Sequence, residues 1–293
     1  MEATAPSAVG FGLWIEAARP RTLAAGITPV LVGTATSTTL IWWRFACALV
    51  VGVAMQIGVN YANDYFDAIK GVDADRVGPR RVVASGLLSP VAMKRAMAIA
   101  FAVACAAGTA LAIAVTPWLF AVGAAAVLAA LGYSGGPRPY GSAGLGEVFV
   151  FLFFGVVATV GSAYVQVERV TSEAIASAVP IGLLAVAILV VNNLRDVETD
   201  RRADKITLAV RWGPERMKTF YDVVVAGALL FTFVLAAVAH APWVLLGLLG
   251  VPLAAAGRRA LAKGPGGALA ALHRTAALQA AYGVLASLGL WIS

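Results

Sequence analysis

Long apolar runs, broken by short polar and basic segments, fill almost the whole chain. We identify nine runs, each close to the roughly 20 apolar residues that a helix needs to cross a bilayer. The pattern therefore predicts an all-α protein, a polytopic membrane bundle of nine transmembrane helices. The predicted spans fall near residues 22–41, 45–66, 92–115, 118–134, 145–165, 174–194, 217–239, 243–261 and 270–291.

Composition supports lipid as the surrounding medium. Hydrophobic residues make up 60% of the 293 residues, charged residues only 13%, and the mean hydropathy is +0.85. One soluble core cannot bury so much apolar surface. We expect residues 1–293 to form a single integral membrane domain that begins with a short cytoplasmic segment, residues 1–18. Within that segment, Phe11–Arg19 fits an interfacial helix and a loose terminus equally well.

The basic residues are distributed unevenly between the two sides of the predicted bundle. With the N-terminus in the cytoplasm, 20 of the 22 Lys and Arg residues lie on the cytoplasmic side, and only Arg44 and Arg169 lie opposite. This bias follows the positive-inside rule and predicts a multi-pass protein of the cell membrane. It also explains the net charge of +7 without a nucleic-acid partner.

Two cytoplasmic segments share a polar pattern and form an internal repeat. Each contains N-x-x-x-D, at Asn60–Asp64 and at Asn192–Asp196, followed 12 or 15 residues later by R-x-G-P. The copies follow the second and sixth predicted spans. Internal repeats in membrane proteins commonly place a binding site between their halves.

The acidic and amide residues in each copy recur at helical spacing. Residues three or four apart share one helix face, which predicts one stripe in each copy. The first consists of Asn60, Asp64 and Asp67, and the second of Asn192, Asp196, Asp200 and, if the helix persists, Asp204. Two carboxylate stripes that face each other repel, so either a cation lies between them or their pKa values rise.

The ligand types indicate which cation this is. His240 and His273 lie far from both stripes in sequence, and carboxylate and amide oxygens suit Mg²⁺. Mg²⁺ typically binds one or two carboxylates together with substrate phosphates, which predicts a Mg²⁺–diphosphate site. The candidate phosphate-binding cations are Lys70, Arg76, Arg80, Lys205 and Arg211. We assign Asp75, Arg81, Glu198, Arg201 and Arg202 to the solvated surface instead.

Longer motifs resemble a known family. N-D-x-x-D at Asn63–Asp67 and D-x-x-x-D at Asp196–Asp200 are similar to the two signatures of the UbiA superfamily of intramembrane prenyltransferases. The segments NYANDYFDAIKGVDADRVGP, NNLRDVETDRRADKITLAVRWG, ARPRTL and YSGGPRPYGSAGLGE resemble its 1,4-dihydroxy-2-naphthoate branch. The chain departs from the family at two positions. Many members carry another Asp at the position of Gly71, and Asp73 is the candidate to replace that carboxylate here. The second departure is Asp204, which we expect to face solvent.

The resemblance implies an activity and a set of site residues. The chain would use Mg²⁺ to transfer a polyprenyl group from its diphosphate to 1,4-dihydroxy-2-naphthoate, with loss of the carboxylate as CO₂, giving demethylmenaquinone in its reduced, hydroquinone form. Arg138 is the candidate for holding that carboxylate. The implied catalytic residues are Asp64, Asp67, Asp196 and Asp200, and Asn63 joins them as a metal ligand. The residues implied to contact substrate are Asn60, Asn63, Tyr133, Asn192 and Asn193.

Aromatic side chains are expected to face the allylic cation, because π-faces attract positive charge. The candidates are Tyr61, Tyr65, Phe149 and Phe153, and each also fits ordinary packing between spans.

Two alternatives remain open at this point. The same diphosphate chemistry would serve another acceptor, such as 4-hydroxybenzoate, homogentisate or haem. An ion-coupled transporter also combines repeats with boundary carboxylates, but here the acids cluster at one edge of the spans rather than at their middle. The sequence leaves the prenyl chain length and the oligomeric state undetermined.

Overall fold

The computed structural model describes residues 10–71 and 81–293, and all regular structure in these two ranges is helical. Twelve α-helices follow in order: α1 (Phe11–Ala18), α2 (Ala24–Ala35), α3 (Trp42–Ile69), α4 (Pro90–Ala114), α5 (Trp118–Ser134), α6 (Gly146–Val150), α7 (Ala158–Val167), α8 (Ser172–Arg202), α9 (Leu208–Trp212), α10 (Pro214–Val238), α11 (Val251–Leu261) and α12 (Ala268–Trp291). A π-helix at Phe151–Val157 joins α6 to α7, and a 3₁₀ helix at Pro242–Gly250 leads into α11. Shorter 3₁₀ turns cover Pro20–Thr22, Tyr140–Ala143 and Gly264–Gly267.

The prediction of an all-helical membrane-type bundle is confirmed. Six helical stretches in the described ranges are long and apolar enough to cross a membrane: Trp42–Ile69, Pro90–Ala114, Gly146–Val167, Ser172–Arg202, Pro214–Val238 and Pro242–Leu261. Two further predicted spans appear as shorter apolar helices, α2 and α5, and the last coincides with α12. A helix stands at each of the nine predicted positions, whereas the number that crosses the bilayer stays a prediction.

Helix α8 forms the centre of the bundle. In its apolar window 78% of residues are buried inside the protein, compared with 28–33% in the other five long stretches. A helix that is apolar on all sides belongs in an interior, and α8 packs against α10, α12 and the π-helix. Pro180 is accommodated within α8, as Pro29 is within α2, because neighbouring helices can compensate for the lost backbone bonds.

Glycine allows two pairs of helices to approach very closely. A Cβ atom on Gly26 of α2 would lie 2.4 Å from the carbonyl oxygen of Gly52 on α3, and a Cβ on Gly52 would lie 2.3 Å from that of Gly26. Similarly, a Cβ on Gly155 of the π-helix would lie 2.6 Å from the Cα of Gly182 on α8. Small residues at such crossings let backbones pack directly in lipid.

The two copies of the polar repeat occupy equivalent ends of two long helices. Asn60–Asp67 lies in the last turns of α3, and Asn192–Asp200 lies in the last turns of α8. Helix α8 ends at Arg202, so the predicted stripe does not extend to Asp204, which is exposed as expected. The first R-x-G-P segment, together with Asp73, Asp75, Arg76 and Arg80, lies outside the described residues.

Candidate active site

Both acidic helix ends line one cavity of about 330 Å³. Helix α3 contributes Asn60, Asn63 and Asp67, and Tyr133 comes from the end of α5. The polar residues that α8 and the following turn contribute are Asn192, Asn193, Arg195, Asp196, Asp200 and Lys205. Two stretches that are far apart in sequence therefore meet in one site, as the spacing predicted.

An ammonium group links the two stretches. Lys205 Nζ lies 3.8 Å from Asp67 Oδ2 and 3.6 Å from Asp200 Oδ1. Both carboxylates are 4% exposed, and buried charges of one sign need a countercharge close by. Lys205 supplies that countercharge, so its candidacy for phosphate binding agrees with its position in the cavity.

Two arginines add positive charge to the same end of the cavity. Arg81 Nη2 lies 3.4 Å from Asp67 Oδ2. Arg195 forms a two-pronged contact with its neighbour Asp196, with both N–O distances at 2.7 Å. The assignment of Arg81 to the solvated surface was wrong: its side chain is only 9% exposed and it lines the cavity. Arg195 was missed, although it stands directly before the second acidic motif.

Asp64 occupies a different position from the one the stripe predicted. It is 1% exposed, but among the described residues it is not part of the cavity wall. At about 100° per residue, Asp64 is rotated to one side of Asn60, while Asn63 and Asp67 are rotated to the other. The cavity therefore faces Asn60, Asn63 and Asp67, and Asp64 lies behind this face.

Three predicted binding cations lie away from the cavity wall in the described ranges. Lys70 Nζ donates to the backbone carbonyls of Ser134 (2.6 Å) and Gly136 (3.1 Å), which joins the end of α3 to the end of α5. Its partial burial lowers the pKa of its ammonium group. Arg138 is exposed in the loop after α5, and Arg211 is exposed beside Gly144. These positions do not support the prediction that Lys70, Arg138 and Arg211 contact substrate directly.

Several predicted polar residues also make structural bonds. Asn63 Oδ1 accepts a 2.7 Å hydrogen bond from Ser134 Oγ. Asn60 Nδ2 donates to the carbonyl of Ala18 at 2.8 Å and to Thr22 Oγ1 at 3.0 Å. Asn60 thus holds the segment before α2 against α3, close to Arg19, which also lines the cavity.

The other end of the cavity is apolar and aromatic. Phe149 and Phe153 line it, as expected, together with Tyr133 and Tyr140. Tyr140 and Phe149 stack with ring centroids 4.0 Å apart, and burial raises the pKa of the Tyr140 hydroxyl. The other two aromatic candidates are elsewhere: Tyr61 Oη donates to the carbonyl of Trp14, and Tyr65 packs on Phe66.

The donor set fits Mg²⁺ that is bound together with a phosphate ligand. In the described ranges, no three His, Cys, Asp or Glu side chains form a cluster that could hold a metal alone. The cavity wall does combine three carboxylates with amide oxygens and four cationic side chains. Mg²⁺ characteristically takes few protein ligands and completes its shell with phosphate and water.

Fold and site together define a multi-pass helical membrane protein whose cavity joins an acidic, cation-lined end to an aromatic-walled apolar end. The chain belongs to the UbiA prenyltransferase family, whose model matches residues 26–285. This confirms the resemblance seen in the acidic motifs.

Curated relatives and solved structures agree with this membership. The chain is 47% identical over 262 residues to 1,4-dihydroxy-2-naphthoate octaprenyltransferase of Mycobacterium tuberculosis, covering 88% of each chain. It is 38% identical over 257 residues to the Escherichia coli protein of the same name, covering 82% of each. Among solved structures, a UbiA homologue from Archaeoglobus fulgidus bound to GPP and Mg²⁺ has a TM-score of 0.64 at 16% identity, covering 96% of this chain and 100% of that one.

Proposed function

We propose that this enzyme transfers a polyprenyl group from its diphosphate to 1,4-dihydroxy-2-naphthoate, with loss of the acceptor carboxylate, in menaquinone synthesis. The observation that carries the proposal is the single cavity in which the α3 and α8 acidic ends meet an aromatic-walled apolar space. Relatives with 47% and 38% identity bear the corresponding enzyme name.

We assign the two ends of the donor substrate to the two ends of the cavity. The diphosphate would lie at the polar end, where Lys205, Arg81 and Arg195 supply positive charge, with Arg76 and Arg80 as further candidates from sequence. Asp67, Asp196 and Asp200 would hold Mg²⁺, with Asn63 beside them and Asp64 behind them. When bound, Mg²⁺ would stabilise the negative charge that develops on the leaving diphosphate. The A. fulgidus homologue with GPP and Mg²⁺ supports this assignment.

The chain's own residues would then control the allylic cation. Preorganised cations favour departure of the diphosphate because they meet its developing charge without rearrangement. Tyr133, Tyr140, Phe149 and Phe153 would exclude water and present π-faces to the cation. The prenyl chain would occupy the apolar part of the cavity, between helices that contact lipid.

The proposed topology places this chemistry at the inner face of the cell membrane. Nine spans, with a cytoplasmic N-terminus, put both acidic ends and 20 of the 22 basic residues on the cytoplasmic side. Water-soluble acceptor and diphosphate head groups would then enter from the cytoplasm while the prenyl tail stays in lipid.

An acceptor panel tests the proposal. Purified protein in nanodiscs is given Mg²⁺, labelled polyprenyl diphosphate and, in turn, 1,4-dihydroxy-2-naphthoate, 4-hydroxybenzoate and homogentisate. We expect transfer to the naphthoate with release of CO₂, and reversible loss of turnover when a chelator removes Mg²⁺. Transfer only to one of the other acceptors, or undiminished turnover in excess chelator, would overturn the assignment.

A further inference from the structure

A buried carboxylate that the diphosphate chemistry does not use lies beside the aromatic end of the cavity. Glu147, at the start of α6, is 5% exposed. Its Oε1 accepts a 3.0 Å hydrogen bond from Asn193 Nδ2, while its Oε2 is buried and makes no hydrogen bond with any described residue. A buried polar atom of this kind calls for an explanation.

The pair fixes the direction of the Asn193 amide. In this bond the NH₂ group of Asn193 is the donor, so the amide nitrogen is turned toward Glu147. Asn193 itself lines the cavity, whereas Glu147 stands behind it in the described structure. The Asn193 carbonyl oxygen is therefore the atom left to face a ligand, and the carboxylate behind the amide polarises that oxygen into a stronger acceptor.

The surroundings of Asn193 suit a flat aromatic ligand. A Cβ on Gly146 would lie 3.3 Å from the Tyr133 ring and 3.2 Å from Leu189 Cδ2, so glycine lets both side chains pack onto the start of α6. Tyr133 and Leu189 line the cavity, as does Phe149, two residues after Glu147. The Asn193 oxygen is thus a hydrogen-bond acceptor at the edge of an aromatic wall.

The polar end of the cavity is adjacent to this wall. Tyr133 connects the two regions, because its ring packs onto Gly146 at the start of α6 and it lines the same cavity as Asp67 and Asp200. A ring held beside Asn193 would therefore be close to the place assigned to the diphosphate, as attack on an allylic carbon requires.

We propose that Asn193 Oδ1 accepts a hydrogen bond from a ring hydroxyl of the aromatic acceptor, and that Glu147 is the positioning residue that holds the amide in this orientation. The inference rests on the proposed function and adds the acceptor subsite to it. It assigns specificity for a hydroxylated ring to a pair of residues that lies outside both acidic motifs.

A merely structural Glu147 would behave differently from a positioning residue. If the bond only joined α6 to α8, its loss would disturb folding and weaken the binding of both substrates. If it orients Asn193, its loss weakens recognition of the acceptor and leaves the prenyl diphosphate site intact. The Michaelis constants of the two substrates separate these cases.

The test compares Glu147→Gln with wild type on three acceptors: the dihydroxynaphthoate and two analogues that each lack one ring hydroxyl. We expect Glu147→Gln to raise KM for the acceptor about tenfold, because a glutamine amide can either accept from Asn193 or donate to it and so no longer fixes its orientation, with KM for the prenyl diphosphate within twofold. Wild type should discriminate about tenfold against the analogue that lacks the recognised hydroxyl, and Glu147→Gln should lose that discrimination.

Two further variants make the outcome decisive. Glu198→Gln is the matched control, because Glu198 is exposed on α8 and pairs only with Arg201 in the described structure; it should behave as wild type. Asn193→Ala removes the proposed contact directly and should lose the same discrimination, even if Glu147→Gln fails to fold. Retained discrimination in Asn193→Ala, or equal increases in both KM values in Glu147→Gln, would overturn the inference.

The same experiment keeps the two proposals apart. Failure of wild type to prenylate any of the three naphthoates refutes the proposed function, whatever the variants do. Normal wild-type turnover that is unchanged in Glu147→Gln and Asn193→Ala refutes only the acceptor subsite.

Discussion

Asp67 on α3 and Asp200 on α8 approach the same cation from two sides: their carboxylate oxygens lie 3.8 Å and 3.6 Å from Lys205 Nζ. This contact joins the two copies of the repeat at the polar end of the cavity. Lys205 neutralises the mutual repulsion of the carboxylates and remains close enough to reach a bound phosphate.

Replacing Lys205 by methionine should therefore have two opposite effects. KM for the prenyl diphosphate should rise at least about tenfold, because a charge-assisted contact to phosphate is lost. The affinity for Mn²⁺ without substrate should increase, because the two carboxylates then lack their internal countercharge. Steady-state kinetics and Mn²⁺ titration by electron paramagnetic resonance measure these effects. Lys218→Met, at the Glu215 pair, is the control, and unchanged values in Lys205→Met would contradict the role.

Asp67→Asn and Asp200→Asn should each lower kcat by about 10²-fold or more, as the loss of a principal transition-state stabiliser does. Each change keeps the side-chain size and removes the charge proposed to hold Mg²⁺. Asp204→Asn is a matched control: Asp204 is exposed at a φ of 52°, a region that asparagine tolerates. Turnover of the two variants within tenfold of wild type, with normal Mg²⁺ dependence, would argue against metal binding there.

Arg81→Gln should raise KM for the prenyl diphosphate about tenfold or more. The guanidinium group lies 3.4 Å from Asp67 in the wall of the cavity, and Arg suits phosphate oxygens because of its fork of donors. Arg201→Gln provides the comparison, since Arg201 is half-exposed and pairs with Glu198. If Arg81→Gln and Arg201→Gln both bind the diphosphate as wild type does, Arg81 has no role in diphosphate binding and this prediction is contradicted.

Asn60→Leu should destabilise the protein and weaken diphosphate binding together. The substitution removes two hydrogen bonds that hold Ala18 and Thr22 against α3. Thr22 Oγ1 still accepts from Gln56 Nε2 at 3.2 Å, but the buried Ala18 carbonyl loses this donor, which costs about 1–3 kcal/mol. Arg19, within this segment at a φ of 50°, would lose its fixed position in the cavity wall. Thermal unfolding in detergent and binding of a prenyl diphosphate analogue measure both effects. A wild-type midpoint with wild-type binding would show that the segment is held by other contacts.

The sequence predicted the parts of this molecule that depend on local periodicity. Apolar runs fixed where the helices lie, and the three- and four-residue spacing placed Asp67 and Asp200 on inward faces at two helix ends. The short α2 was not predicted. The stripe on α8 predicted a helix beyond the apolar span but not its end at Arg202, because polar residues at a helix end do not show where the helix stops.

Within the site, the sequence predicted only those residues that are charged members of a recognisable motif. Asp64 differs from Asp67 only by its rotation about α3, which decides whether a side chain meets the cavity or lies behind it. Arg81 and Arg138 are both arginines in polar loops, and only the three-dimensional path of each loop separates them. Glu147 carried one usable signal, a lone acid at the start of an apolar run, but its partner Asn193 is distant in sequence.

The close crossing of α2 and α3 leads to a prediction about stability. Gly26→Ala and Gly52→Ala each place a methyl group 2.3–2.4 Å from a backbone oxygen of the facing helix, so the two helices must move apart. Overpacking of this kind costs about 1–3 kcal/mol, and it would also widen the cavity, because both glycines line it. Gly123→Ala on α5 is the control, since a Cβ there meets no atom within 4 Å and alanine favours helix over glycine. We expect lower midpoints of thermal unfolding for Gly26→Ala and Gly52→Ala, and an unchanged or higher midpoint for Gly123→Ala. Equal midpoints in all three variants would mean that α2 and α3 do not cross at these residues.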